Sequence, residues 1–342
     1  MNGLGLRRRL SWLLVTGSVL TAALGTSAGA ALAAPQAPQA SGGTIKICKC
    51  IVSMTADPAT NTLWLVNGKA KSISVVSEKT TKVIATIRLA SQLGPNAVGH
   101  LVADPTTRTI WEFAGSVLVE ISDKTMKVEH FLKPQGYRPG FTGAVDPVRG
   151  EVWVASEETI QGISESTGKV LSTDFVANGA KSDAIVGLAT DPKTGTVLAT
   201  VNKFGGTRTW IFEIEEANDF GYAVRKLPGS SSGLTIDPSA GMVWNLKGTT
   251  LSAYLAASRL KPSGSITISR SRLGGMAVDP TTGSIWMAAA SGNRLTRFSE
   301  SHRNVIRTLP LPGKSFGITV DTKSHTVFTL NSQNSVVRFY RY

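Results

Sequence analysis

From residue 44 onward the chain alternates short apolar runs with short polar breaks, and the breaks follow one formula. In GMAVDPTTGSIWMAAA (275–290) an apolar run ends at Asp279, a Pro-Thr-Thr-Gly break follows, and a second apolar run carries Trp286. Asp opens a type I turn and caps backbone N–H groups, Pro presets the next φ, and a Gly or Asn soon after takes positive φ. The flanking runs are β-branched and apolar with short alternation, so the phrase predicts a hairpin.

The phrase returns at Asp57 (MTADPATNTLWLV), Asp104 (LVADPTTRTIWEF), Asp146 (GAVDPVRGEVWVA), Asp191 (LATDPKTGTVLAT) and Asp237 (LTIDPSAGMVWNL). A seventh copy at Asp321 (ITVDTKSHTVFTL) has lost the proline, and successive aspartates stand 42 to 47 residues apart. Seven residues after the aspartate comes an aromatic in six copies: Trp64, Trp111, Trp153, Trp244, Trp286 and Phe328, with Leu198 in the fourth. Aromatics that recur at one place per unit read as packing of one unit on the next, not as sugar-stacking platforms. One aspartate per turn, with no neighbouring oxygen ligands, reads as a turn cap and not as a calcium site.

Past the aromatic each unit supplies two more strands, such as 72–76 and 82–89 in the first and 117–121 and 127–132 in the second. Four strands per unit of this length is the signature of a β-propeller blade. The predicted fold is therefore all-β, a seven-bladed β-propeller with four-stranded blades. The last unit lacks a fourth strand, while Thr44-Ile45-Lys46-Ile47 is spare ahead of the first. That N-terminal strand is expected to complete the last blade, closing the ring and hiding an open edge.

Ahead of the repeats, Arg7-Arg8-Arg9 precedes an apolar stretch from Leu10 to Leu24, and small residues lead to Ala31-Leu32-Ala33. This is the layout of a cleaved signal peptide over 1–33. The arginines match a twin-arginine signal poorly, so Sec export is the default. Residues 34–43 form a Pro, Ala, Gln and Gly leader, and 44–342 form the propeller. No second long apolar run follows, so the mature chain is expected outside the cytoplasm, secreted or in the cell envelope, with no transmembrane anchor, as a monomer.

The chain carries 36 Lys+Arg against 23 Asp+Glu. With the three leading arginines set aside the net charge is +10. Such a protein is drawn to polyanions, whether nucleic acid or an anionic cell-wall polymer.

The VDPTTGxIWxA phrase, followed by a turn such as Thr167-Gly168-Lys169-Val170, resembles the YVTN and related surface-layer seven-bladed propellers. The resemblance covers the chain from Thr44 to Tyr342 and is specific for fold. It implies an exported protein. Relatives include DNA-binding propellers and the streptogramin lyases, which are enzymes, and fold alone does not choose among them.

In a propeller the inner strand of each blade lines the central channel, and ligands sit at the end where those strands begin. The Asp-Pro turns then lie at the opposite end. The position four before each aspartate falls near the mouth: Ser53, His100, Thr142, Gly187, Gly233, Gly275 and Gly317. Glycine in four blades allows close backbone approach, and His100 is the candidate ligand or acid/base group. Loops at that end carry cations and aromatics: Lys133, Tyr137, Arg138, Lys203, Phe204, Arg270, Arg272, Arg294, Lys314 and Phe316, with Lys69, Lys71 and Lys247. Cations for phosphates and rings for bases are what single-stranded nucleic acid needs.

No H-E-x-x-H, P-loop or zinc-spaced Cys/His set is present. A streptogramin-type lyase would need a second channel histidine beside acids such as Glu112, Glu157 and Glu158. The reading is thus a non-catalytic binding propeller with no cofactor and no metal. A polyanion or a surface protein is the expected partner, and a lyase-like enzyme is the alternative. Cys48-Lys49-Cys50, the only cysteines, read as a local disulfide or two thiols.

Overall fold

The computed structural model describes residues 42–47, 50–89, 99–115, 117–133, 142–156, 159–175, 183–203, 208–215, 221–228, 230–256, 259–268, 273–290, 293–315, 317–331 and 336–342. Its strands form seven antiparallel sheets of four. The inner strands, in blade order, are Ile51–Asp57, His100–Asp104, Thr142–Asp146, Asp183–Asp191, Gly233–Asp237, Leu273–Asp279 and Gly317–Asp321. Each packs beside the inner strands of the blades before and after it, and that of blade 7 lies beside that of blade 1. The fold is a seven-bladed β-propeller.

The aspartate turns account for the repeat. In all seven, Asp Oδ1 accepts the N–H two residues on (Ala59, Thr106, Val148, Lys193, Ser239, Thr281, Lys323) at 2.7 to 3.0 Å. The fourth residue after the aspartate is left-handed in every copy, with φ between 50° and 69°. It is glycine in blades 3 to 6 but Asn61, Arg108 and His325 in blades 1, 2 and 7, so the turn tolerates the side-chain strain. That residue's carbonyl accepts the N–H of the first residue past the third strand. Glu78 bonds to Asn61, Asp123 to Arg108, Glu165 to Gly150, Ala256 to Gly241, Glu300 to Gly283 and Tyr342 to His325. Six of the seven aspartate turns are thereby tied to the third-strand turn of their own blade.

The core is divided among the seven joints between blades, one apolar cluster to each. The repeated aromatic of each blade faces the next: Trp64 packs with Leu101 and Val119 of blade 2, Trp111 with Val152 of blade 3, and Trp286 with Val327 of blade 7. Trp64, Trp111, Trp153, Trp286 and Phe328 are fully buried. In blade 4 Leu198 takes the place and meets Val243 and Tyr254 of blade 5. Truncating one such anchor to alanine costs about 3–5 kcal/mol.

Blade 7 contains both ends of the described chain. Gly42–Lys46 pairs antiparallel with Val336–Arg341 as the outer strand of that sheet. Ile45 is buried among Leu330, Val337 and Phe328. The strand begins at Gly42, opposite Tyr340, so Gly42 and Gly43, expected in the leader, belong to the blade. A Cβ on Gly42 would stand 2.9 Å from the Phe339 carbonyl oxygen and one on Gly43 2.6 Å from the Phe339 ring, so both positions favour glycine. The expected signal peptide lies outside the described residues. No helix among the described residues is long and apolar enough to cross a membrane.

Candidate functional site

The position four before each aspartate is a single layer of the wheel. Ser53, His100, Thr142, Gly187, Gly233, Gly275 and Gly317 each pair with the equivalent residue of their second strand: Val66, Phe113, Ala155, Thr200, Leu246, Ala288 and Leu330. All seven line one cavity of about 520 Å³. Met54, Leu188, Leu234, Met276, Ile318 and Leu330 supply apolar wall, and no charged side chain lines it among the described residues.

Three blades add a residue that the repeat does not announce. The ladders shift register between Ile51 and Ser53, between Ile185 and Gly187, and between Leu273 and Gly275. The bulged residues Val52, Val186 and Gly274 all border the cavity, and Val52 and Val186 are 50% and 43% exposed. Bulges re-aim a side chain without ending the strand. Nothing in the alternation marks them, because each bulge lies near the start of its strand and too few paired residues precede it for the phase shift to be read.

Two of the channel glycines, Gly187 and Gly233, have a reason that differs from close backbone packing. A Cβ on Gly187 would come no nearer than 3.4 Å to Leu234, and one on Gly233 no nearer than 3.8 Å to Met276. The fold would accept a side chain at either position. What their absence creates is channel volume.

His100 is the one polar ring in this wall. It is half-buried, its Nδ1 is sealed from solvent without a hydrogen-bond partner, and its ring lies 6.4 Å from that of Phe113. Burial pushes its pKa down to about 4, so the imidazole is neutral at physiological pH. A neutral ring can accept or donate one hydrogen bond but supplies no charge. Glu112 pairs with Leu101 one strand further out and does not line the cavity. It is buried, and desolvation raises its carboxyl to about 7. Glu157 and Glu158 lie outside the described residues. No group of three or more His, Cys, Asp or Glu side chains is assembled as a metal site among the described residues.

The rim residues are placed at the same end by topology. Lys133 follows the outer strand of blade 2, and Lys314 precedes the inner strand of blade 7. Arg294 opens the third strand of blade 6, and Lys69 lies between the second and third strands of blade 1. All four are exposed, and Lys71 and Lys247 at equivalent places are half-buried. Lys203 closes the second strand of blade 4, opposite Asp183. Among the described side chains, none of Lys69, Lys71, Lys133, Lys247, Arg294 and Lys314 lines the cavity. Tyr137, Arg138, Phe204, Arg270, Arg272 and Phe316 lie outside the described residues, as does Cys48. Cys50 is half-buried at the turn before the first inner strand.

Gly313-Lys314-Ser315-Phe316-Gly317 has the spacing of a nucleophile elbow. Ser315 is nonetheless buried, and its hydroxyl donates to the Leu330 carbonyl at 2.9 Å. The segment leads into a channel strand, whereas an elbow turns from strand to helix. Ser315 ties the loop to the blade.

No protein-family model matches the chain, and no curated protein matches it by sequence. Among solved structures, hydrazine synthase of Kuenenia stuttgartiensis has a similar fold, with a TM-score of 0.69 at 11% identity over 86% of this chain and 96% of that one. At this identity the likeness shows the fold alone.

Proposed function

We propose that the protein is an exported, non-catalytic binding propeller of the YVTN or surface-layer kind. Its ligand is an anionic polymer held across the channel mouth. The observation that carries this reading is the division of labour at one end of the wheel. An uncharged cavity is built from the same position of all seven blades, and the exposed charges around its mouth include Lys46, Lys69, Arg88, Lys133, Arg294 and Lys314. Phosphate or carboxylate groups pair with the rim, and an uncharged base or sugar enters the cavity beside His100. The apolar wall and the neutral imidazole suit such a group better than a charged one.

The test titrates protein from Ala34 onward into a labelled single-stranded oligonucleotide at low and physiological salt, with an anionic polysaccharide as competitor. Binding that weakens steeply with salt supports the reading, and the competitor separates nucleic acid from general polyanion affinity. Absence of binding at low salt overturns it and turns the search to a protein or neutral glycan.

A further inference from the structure

At the end opposite the channel mouth, the first residue past the third strand meets the turn aspartate of the preceding blade. We infer that Glu78 and Glu300 each share one proton with such an aspartate, Asp321 and Asp237 respectively, so that two of the seven joints are held closed by a proton.

The geometry repeats in both joints. Asp321 and Asp237 are fully buried, and Glu78 and Glu300 are 5% and 9% exposed. One oxygen of each aspartate is used by its own turn: Asp321 Oδ1 accepts the N–H groups of Lys323 and Ser324, and Asp237 Oδ1 those of Ser239 and Ala240. The other oxygen, Oδ2, is sealed without a partner in both, as is Oε1 of both glutamates. Each glutamate lies close enough to its aspartate to feel its charge, and the Ser324 hydroxyl, in the Asp321 turn, donates to Glu78 Oε2 at 2.8 Å. If both members were ionised, each joint would bury two like charges and two orphaned acceptors. A single proton between them removes the repulsion and satisfies both oxygens.

Glu165, at the same position of blade 3 beside Asp104, also has an orphaned Oε1 and is raised by burial and then by Asp104. In the joints of Asp57, Asp104 and Asp279, however, the second aspartate oxygen has a donor that these two lack. Tyr342 occupies the same position in blade 7, and its hydroxyl donates to Asp279 Oδ2 at 2.7 Å. Asp104 Oδ2 accepts the Thr107 hydroxyl at 2.8 Å, and Asp57 Oδ2 accepts that of Thr60. Asp123, facing Asp57, is held by Arg108 at 2.6 Å. Asp237 and Asp321 are the two turn aspartates whose second oxygen is buried with no donor.

The charged surroundings agree. Glu78 is pushed up to about 8, first by burial and then by the neighbouring Asp321 carboxylate, with the Ser324 hydroxyl and then Arg341 pulling the other way. Glu300 is pushed up to about 9, first by burial and then by the neighbouring Asp237 carboxylate, with the Trp244 indole pulling the other way. The neighbouring His302 turns to Ser299 and Ser301, and Arg303 to Ser263, so neither offsets Asp237. A divalent cation is a poorer occupant. Each joint offers only two carboxylates, and at the first Arg341 donates to the Glu78 carbonyl at 3.0 Å.

The sign follows from linkage. Both folded values lie above the ordinary 4.5, so the stability these groups contribute is complete below about 4.5. It falls as pH rises to 8 or 9 and is level above that.

The experiment records Tm from pH 5 to pH 10 for the wild-type protein and for E78Q/E300Q, in which an amide N–H replaces the O–H donor at every pH. The wild-type Tm, measured against the variant, should fall by about 5 °C or more between pH 5 and pH 9 and then level off. Parallel profiles overturn the inference. A second measurement covers a variant that fails to fold. The infrared band of a neutral carboxylic acid should persist in the wild-type protein at pH 7.5 and vanish by pH 10, and its absence at pH 7.5 overturns the inference. Added calcium chloride that raises the wild-type Tm at pH 8 but leaves the variant unmoved assigns a cation to the joint and also overturns it.

Discussion

The Tyr342 hydroxyl donates a 2.7 Å hydrogen bond to Asp279 Oδ2 across the joint between blades 7 and 6. His325 Nδ1 lies 3.2 Å from the same oxygen, the Tyr342 ring packs tilted against Trp286 with centroids 4.7 Å apart, and the Arg297 guanidinium lies 4.5 Å above the Tyr342 ring. Burial raises Asp279, but the bonds from Thr281, Tyr342 and His325 outweigh it and hold its carboxyl below the ordinary value. Tyr342→Phe should cost about 1–3 kcal/mol at neutral pH. Because a depressed carboxyl contributes stability that is lost as pH falls through its folded pKa, the gap between the variant and the wild type should narrow on acidification. Denaturant melts at pH 7 and pH 3 check both statements.

Removal of residues 1–41 should leave the melting curve of the wheel unchanged, since the ladder of blade 7 begins at Gly42. Removal of 1–47 takes away Ile45, worth about 2 kcal/mol of burial, and bares the Val336–Arg341 edge. The shorter chain should melt earlier and self-associate on concentration, which light scattering reads.

Gly187→Val and Gly233→Val should plug the channel at little cost to the fold. Both positions have room for a Cβ, and both line the cavity. Stability should stay within about 1 kcal/mol of the parent. Oligonucleotide affinity should drop at least tenfold if a base or sugar enters the cavity. Gly143→Ala is the contrasting control. Its Cβ would meet the Phe113 ring at 2.2 Å, so it should destabilise by about 1–3 kcal/mol.

His100 should remain neutral throughout the physiological range, its pKa lying near 4 because of burial. Ligand affinity should therefore show no step near pH 6.5. A depressed imidazole contributes stability that is present above about 6.5 and lost as pH falls toward 4. His100→Asn should erase that portion of the acid-side loss, of order 1 kcal/mol given the half-exposed ring. A Tm profile from pH 7 to pH 4 reads it.

Lys133→Glu, Arg294→Glu and Lys314→Glu combined should leave Tm within a degree or two, because all three side chains are exposed. If they pair with phosphates, single-strand binding should weaken and the slope of log affinity against log salt should shrink by about 2. An unchanged slope would move the anion site elsewhere.

The turns, the core anchors and the channel layer were legible because each is fixed within one unit. An Asp carboxylate reaching two residues ahead, an aromatic seven places on and a register four places back are local distances along paired strands. The bulged Val52 and Val186 were not legible, since an extra residue alters pairing without altering composition. Nor was the start of the closing strand, because Gly42 and Gly43 carry no apolar signal and are set by Tyr340 and Phe339 at the far end of the chain. The pairing of Glu78 with Asp321 depends on which blade stands next to which. No periodicity within a unit contains that information. Rim cations sit in loops or on the last rungs of the ladders, so the repeat gives their end of the wheel but not their spacing.

The closing strand also gives the wheel a handle. Gly42 stands opposite Tyr340 at the aspartate-turn end, and Lys46 stands opposite Val336 at the end where the inner strands begin. A tag or support joined just ahead of Gly42 therefore grips the face that carries the carboxyl joints. Protein immobilised this way would present its channel and cationic rim outward in one orientation, ready for a long polymer to approach from solution.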